Sequence, residues 1–381
     1  MIFISTILNP TNITLAIVVL FIVYLIAYFW HQSLLKKRTA LAHEIHAQDL
    51  SRHDNNPIMS PRPHQEWESG GTFNPAAVTD NEGTVHLLYR AVGDDGISRI
   101  GHASSRDGKN IDSRSSFPVY QPTRGYGMPD PSAIQGPLTY DPTVHRSGGG
   151  WAGCEDPRAV KIDDRIYVTY TAFEGWNSVR IGVTSISEKD LRANRWNWKK
   201  PKIISSSRQV NKNWVIFPEK INGKFAILHS ISPRILVDYV DSLSNPYSTE
   251  TIFSQSPKGG RNTHWDNWMR GAGAPPVKTD KGWLLLYHAM DRNDPDKYKL
   301  GAMLLDLNDP TIILYRSPKP ILEPHMSYEN DSKAGVVYAS GAVIKNGNLL
   351  VYYGGGDRHV CVAETPLQAL LEWLMRYGKI N

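Results

Sequence analysis

"PAAVTDNEGTVHLLYRAV", Pro75 to Val92, joins a short apolar run to a longer one through the polar turn Asn81-Glu82-Gly83. Such a turn tolerates positive φ, and the flanks are rich in Leu, Val and Tyr, which is the pattern of a β-hairpin. The arrangement returns four times: "PRAVKIDDRIYVTYTAF" from Pro157, "PEKINGKFAILHSI" from Pro218, "PPVKTDKGWLLLYHAM" from Pro275 and "SGAVIKNGNLLVYYGG" from Ser340. A third strand-like stretch follows each hairpin: "SRIGHASS", "VRIGVTSI", "RILVDYVDSL", "YKLGAMLLDL" and "HVCVAETP". The turns lie roughly 60 to 80 residues apart. A sheet-sized repeat that cannot bury its own face stacks radially on its neighbours. The sequence therefore predicts an all-β fold, a five-bladed β-propeller over residues 71–381. A β-sandwich of similar size would leave five copies of one turn pattern without a reason.

The remainder of the chain supports this reading. With 30 Gly and 25 Pro in 381 residues, the composition suits a turn-rich β protein. A formal charge of +5 with no long basic run points away from nucleic acid. Cys154 and Cys361 are too few for a disulfide framework and fit no metal-site spacing, so both read as half-buried thiols, and no metal site is expected. "DRNDPDKY", Asp291 to Tyr298, lacks the ligand spacing and glycine of a calcium loop and reads as a solvated turn. "ITLAIVVLFIVYLIAYFW", Ile13 to Trp30, is uncharged and long enough to cross a bilayer. No basic segment precedes it and no small-residue cleavage site follows, so it reads as a membrane anchor rather than a signal peptide. Lys36, Lys37 and Arg38 follow, and the positive-inside rule then puts the bulk of the chain in the cytoplasm. The expected domains are an anchor over 1–30, a polar linker over 31–70 and the propeller over 71–381. "TPLQALLEWLMRYGKI" from Thr365 reads as a C-terminal helix with Thr365 as N-cap and Leu367, Leu370, Leu371 and Leu374 on one face, packed on the propeller or serving a homo-oligomer.

In a propeller the first strand of each blade begins near the axis, so residues just before it line a funnel. "TFNPA", "GCEDPR", "VIFPEK", "RGAGAPP" and "VVYASG" stand at such places. In "GCEDPRAV", Gly153 to Val160, Pro157 predicts an extended Asp156. Two-residue periodicity puts Asp156 and Arg158 on one side of the strand, with Glu155 turned away. As an acid, Asp156 needs burial to raise its pKa against nearby guanidinium groups, so Arg158 is expected to be engaged elsewhere, with Glu155 as the partner.

These segments, together with "FPEKINGKFAILH", "GAGAPPVKTDKGWLLLYHAMD", "YKLGAMLLDLNDPTIILYRSPKPILEP" and "VYYGGGD", resemble glycoside hydrolase family 130 in order from Phe73 to Ala363. That family comprises β-mannoside phosphorylases and β-mannosidases on a five-bladed propeller. The resemblance implies that Asp156 is the general acid of an inverting reaction and that Asp357, in the "YYGxxD" position, binds a sugar hydroxyl. Arg90 in "LLYRAVG" and His288 in "LLYHAMD" fall at family positions facing the cavity; a pair between Arg90 and Asp94 or Asp95 is the structural alternative. Arg90, Glu155, Arg158, His288 and Asp357 are thus the substrate-binding candidates.

Two chemistries remain open. Inverting hydrolysis needs a second carboxylate to activate water, whereas phosphorolysis needs cations to hold phosphate as a co-substrate. Lys212 stands where family phosphorylases carry a basic residue, but "LHSISPR" puts Ser230 where an arginine is expected. Arg234, four residues on, is the candidate replacement by strand parity, so Lys212 and Arg234 are the candidate phosphate ligands. The lost arginine tips the expectation toward hydrolysis of β-mannosides, with Glu219, Asp266, Asp291 and Glu329 as candidate bases. Phosphorolysis releasing mannose 1-phosphate is the alternative, as is a membrane-anchored β-mannosyltransferase-like relative. A glycan-binding module without activity would have no need of Asp156. Trp214, Trp265 and Trp268 offer faces to sugar rings or to blade packing.

Overall fold

The computed structural model describes residues 10–46, 49–130, 150–176, 178–207, 209–243, 251–255 and 259–380. They form two compact units, divided between residues 48 and 49. The first is helix α1 (Pro10–His46), within which Ile13–Lys36 is long and apolar enough to cross a membrane. The expected linker is not one. The helix runs on to His46, and the second unit begins at Asp49. Strand β1 (Ser51–Arg52) then pairs with the last strand of the chain, so this polar, proline-containing stretch is an edge of the β unit.

The β unit consists of successive antiparallel meanders. The first contains β2 (Gly71–Thr79), β3 (Val85–Val92), β4 (Ile97–Ser105) and β5 (Ser113–Arg114). Two short segments, β6 (Thr123–Arg124) and β7 (Gly127–Met128), lead to the second. That meander is β8 (Ala152–Ile162), β9 (Arg165–Phe173), β10 (Val179–Ser187) and, after helix α2 (Glu188–Arg192), β11 (Lys202–Ile203). The third is β12 (Val215–Ile216), β13 (Phe225–Ser230) and β14 (Leu236–Val240). The fourth is β15 (Trp268–Ala272), β16 (Val277–Thr279), β17 (Gly282–Asp291), β18 (Asp294–Leu305) and β19 (Ile313–Arg316). The fifth is β20 (Val337–Lys345), β21 (Asn348–Gly355) and β22 (His359–Pro366), with β1 on its outer edge. The hairpins and third strands read from the sequence are present, except that the first strand of the third hairpin lies at Val215–Ile216, before Pro218, with an isolated bridge between Ile221 and Lys224 beside the turn. Helix α3 (Leu367–Tyr377) buries Leu370, Leu371, Trp373 and Leu374, with Pro366, the last residue of β22, rather than Thr365 at its N-cap.

The cores lie between meanders. Leu88 and Ile100 of the first pack with Ile166 and Val168 of the second. Val160 and Ile181 of the second meet Ile216 and Ile227 of the third. Leu228 of the third meets Met269 and Leu285 of the fourth. Val343 and Tyr352 of the fifth pack on Val85 and Leu87 of the first. Each such Leu, Ile or Val contributes about 1.5–3 kcal/mol on burial. The fourth and fifth are joined by a parallel bridge between Tyr298 and Val336. Gly341 is required where the fifth meets the first: a Cβ there would lie 2.6 Å from the Pro75 carbonyl oxygen.

Four of the first strands carry a β-bulge near their start, between Phe73 and Ala76, Glu155 and Arg158, Met269 and Gly271, and Ala339 and Gly341. A bulge inserts an unpaired residue and redirects side chains.

Candidate active site

Three of the bulge residues, Asn74, Asp156 and Arg270, line a cavity of about 320 Å³ together with Arg90, Lys212, Asn213, Lys333, Tyr338 and Asp357, among others. Four of these, Asn74, Asp156, Asn213 and Asp357, have positive φ, 48°, 47°, 64° and 51°. Asn and Asp tolerate that region better than other residues with side chains, and strain of this kind concentrates where function requires it. The extended Asp156 predicted from Pro157 is therefore corrected. The bulge lifts Asp156 and Pro157 out of the ladder, where proline has no N–H to give.

Breaking the alternation also overturns the predicted sides. Glu155 does not turn away: it is fully buried and accepts from Arg90 Nη2 at 2.8 Å and Lys212 Nζ at 3.1 Å. Arg90, 1% exposed, donates through Nη1 to Asp156 Oδ1 at 3.1 Å and through Nε to Ser98. It thus ties the two carboxylates together rather than pairing with Asp94 or Asp95. Asn74 Nδ2 donates to the same Asp156 oxygen at 2.8 Å. Arg158 is engaged elsewhere, as expected, but not by Glu155. It donates to the carbonyls of Gly273 and Asp156, to Asn213 Oδ1 and to the Tyr338 hydroxyl, which in turn donates to Asn213.

Burial alone would push the Asp156 carboxyl up. Arg90, Lys212 and Arg158, with the Asn74 amide, outweigh it and hold the group well below the usual carboxylate range. Asp156 is thus held as an anion. Asp357 pairs with Lys333 Nζ at 3.1 Å, and that carboxylate pushes the Lys333 ammonium up. Lys212 lies 5.4 Å from the ring centres of both Phe173 and Trp176.

Two expected site residues are elsewhere. His288 is fully buried, accepts the Ala339 N–H at 2.9 Å and stacks on Tyr338 with ring centres 4.4 Å apart. Burial, with Arg158 nearby, pushes its imidazole down to about 3, so it backs Tyr338 as a neutral ring instead of facing the cavity. Arg234 is exposed and absent from the cavity lining. Strand β13 ends at Ser230 and a bend follows, so strand parity does not carry to Arg234. Ser230 lines the cavity with its hydroxyl bonded to the Ser232 carbonyl.

None of the four candidate bases lines the cavity. Glu219 pairs with Lys278, and Asp266 is locked by Arg261, Arg316 and Tyr287. Asp291 caps a turn, and buried Glu329 holds Arg52, Tyr353 and two backbone N–H groups. Trp214 reaches the cavity, whereas Trp265 stacks on Tyr287 and Trp268 lies under Arg270. The sequence reading passed over Asn74, Asn213, Arg270, Lys333, Tyr338 and Trp176, although Asn74 and Arg270 each sit directly before the proline or glycine of a bulge.

Comparison with known proteins gives a consistent picture. A family model for glycoside hydrolase family 130, described as β-1,4-mannooligosaccharide phosphorylase, matches residues 49–376. A 1,2-β-oligomannan phosphorylase of Thermoanaerobacter sp. (strain X514) is 35% identical over 323 residues, 82% of this chain and 96% of that protein. The β-1,2-mannobiose phosphorylase of Listeria innocua, solved with β-1,2-mannobiose, superposes with a TM-score of 0.63 at 26% identity, covering 85% of this chain and 99% of that one. A glycosyl hydrolase of Bacteroides ovatus superposes with a TM-score of 0.65 at 25% identity, covering 84% and 94%.

Proposed function

The chain belongs to glycoside hydrolase family 130, and from that premise we propose that it is a β-1,2-mannoside phosphorylase on a five-bladed β-propeller. The observation that carries phosphorolysis is the charge of the cavity. Arg90, Lys212, Arg270 and Lys333 line it against Asp156 and Asp357. An excess of cations suits an anionic nucleophile. The hydrolysis favoured by the lost arginine at position 230 lacks its second part: apart from Asp156, the carboxylate lining the cavity among the described residues is Asp357, already paired with Lys333. The β-1,2 linkage rests on the 35% identical relative.

In this reading a phosphate oxygen attacks the anomeric carbon from the face opposite the glycosidic bond. The bond to the leaving sugar breaks, and the leaving oxygen takes a proton that Asp156 has taken up from solvent once phosphate is bound. The products are α-mannose 1-phosphate and the shortened mannoside. Phosphate beside Lys212 offsets the cations that keep Asp156 ionised, so binding the nucleophile also readies the acid. Asn74 and Arg90 hold the carboxylate in place, while Asp357 accepts from a mannose hydroxyl. The test is product analysis on the full chain in detergent with β-1,2-mannobiose. Mannose 1-phosphate formed only with phosphate is expected; free mannose formed equally well without it would refute the proposal.

We also propose that α1 anchors the enzyme, with Lys36, Lys37 and Arg38 marking the cytoplasmic end of the span and the catalytic unit in the cytoplasm. The full chain should then stay in the membrane pellet through a carbonate wash. Recovery as a soluble protein cleaved after about 30 residues would identify a signal sequence instead.

A further inference from the structure

Asp357 stands in the turn between β21 and β22, where Gly355 pairs with His359. Gly356 and Asp357 both have positive φ, 58° and 51°. An aspartate keeps that conformation only where its surroundings hold it. Its partner Lys333 is no firmer by itself. The lysine side chain is 56% exposed and belongs to the segment 330–335, which forms no strand.

Two ties join turn and segment besides the Lys333–Asp357 pair. The Lys333 N–H donates to the Gly356 carbonyl at 2.8 Å, and His359 Nε2 donates to Asp331 Oδ2 at 2.8 Å. A carboxylate only accepts, so the proton of that bond lies on Nε2. The other ring nitrogen, Nδ1, is bonded to the Ser60 hydroxyl at 3.0 Å. Ser60 is placed from two sides: Met59 bridges Val360 of β22, and Arg114 donates to the Ser60 carbonyl at 2.8 Å. An ion pair between two exposed side chains contributes little. Here His359 is buried and fixed at its far nitrogen, so Asp331 meets a donor already in place, with Arg358 Nε 3.7 Å from the same oxygen. The two pairs span the same two stretches of backbone. Asp331 lies two residues before Lys333, and His359 two residues after Asp357. Lys333 and Asp357 line the cavity, whereas Ser60, Asp331 and His359 do not.

We propose that His359 is a positioning residue for the sugar site: held by Ser60 and gripping Asp331, it fixes the turn that presents Asp357 and the segment that presents Lys333. The inference rests on Asp357 as the mannose ligand in the reading above, and it holds whether phosphate or water is the nucleophile.

The test uses the full chain in detergent. Calorimetric titration with β-1,2-mannobiose in an Asp156→Asn background reports sugar binding without turnover. Adding His359→Leu is expected to weaken that binding by at least about fivefold. His359→Gln keeps an N–H toward Asp331 and should recover most of the loss. Asp331→Ala should reproduce it, and the double variant should lose no more than either single one, because both remove the same tie. With Asp156 intact, the loss should appear in the mannobiose KM, while the phosphate KM stays within about twofold. Mannobiose affinity within twofold of the parent in His359→Leu, or losses that add in the double variant, would overturn the assignment. So would a phosphate KM that rises as much as the mannobiose KM, which marks general loosening. Asp331 has a side chain 48% exposed, so Asp331→Ala decides the matter even where His359→Leu fails to fold, as a thermal midpoint will tell. Free mannose released by wild type without phosphate would refute phosphorolysis and leave the titration as the test of His359.

Discussion

Replacing Asp156 with asparagine separates the chemistry of the site from its architecture. Asn74 and Arg90 both donate to Asp156 Oδ1, at 2.8 and 3.1 Å, and an amide oxygen accepts both bonds in the same place. Arg90 keeps its 2.8 Å bond to Glu155, so no guanidinium is left buried without a carboxylate. The Asp156→Asn chain should therefore fold and bind phosphate and mannobiose nearly as wild type does. What it loses is the transferable proton. General acid catalysis contributes about 10²–10⁴ in rate, so kcat on β-1,2-mannobiose should fall by that factor, about 2.7–5.5 kcal/mol on the barrier. The loss should also depend on the leaving group. A dinitrophenolate departs without protonation, so on a dinitrophenyl β-mannoside the variant should lose less than about tenfold. Steady-state rates on both substrates decide the matter. A kcat within tenfold of wild type on mannobiose, or equal losses on the two substrates, would refute Asp156 as the acid.

Two further predictions concern what holds the site together. Arg52 in β1 donates to buried Glu329 at 2.7 and 3.0 Å, tying the start of the β unit to the segment before β20. Arg52→Met leaves that carboxylate with Tyr353 and two backbone N–H groups, at a cost of about 3 kcal/mol, or about 5 °C in Tm. A shift under 1 °C in differential scanning calorimetry would show that the pair contributes nothing. The second prediction is a pH dependence. Burial pushes His102 and His288 down to about 3 in the folded protein, while the unfolded chain titrates them near 6.5. Below that value the unfolded state binds protons that the folded state does not. Stability is thus full above about pH 6.5 and falls with acidification at about 1.4 kcal/mol per pH unit for each histidine. Urea unfolding at pH 7.5 and 5.5 should differ by about 2–3 kcal/mol, and stability that rises toward pH 5.5 would contradict the buried neutral rings.

The hairpins were legible because each carries its own evidence: a turn that supplies positive φ, flanked by strands rich in apolar residues. Asn222-Gly223 and Asn346-Gly347 have those φ values in the structure, and the third strands followed from the same reading. The N-terminal edge was not legible. Ser51 and Arg52 form a two-residue strand whose partners, Glu364 and Ala363, lie at the far end of the chain. Nothing local distinguishes such a strand from a linker; only the unpaired edge of β22 calls for it. Arg234 failed for a related reason. Counting by twos holds only while the strand continues, and β13 stops at Ser230.

The misplaced sides of Glu155 and Asp156 have a more general cause. A period of two assigns a side chain to one face of a sheet, whereas this site is built from residues that have left the ladder. Three of them stand in one pattern: Asn74 before Pro75, Asp156 before Pro157 and Arg270 before Gly271; Ser340 before Gly341 repeats it in the fifth meander without lining the cavity. Proline forces the departure because it has no N–H to give the neighbouring strand. Glycine permits it through backbone angles that other residues avoid, φ of 151° at Gly271 being the case in point. A polar residue directly before a proline or glycine at the start of a repeated hairpin is thus a signal in its own right. It marks the place where a blade turns one side chain out of the sheet and toward the cavity. Applied to the sequence, that rule selects Asn74 and Arg270 alongside Asp156, and it passes over His288, which stands opposite Leu300 in the pairing of β17 with β18.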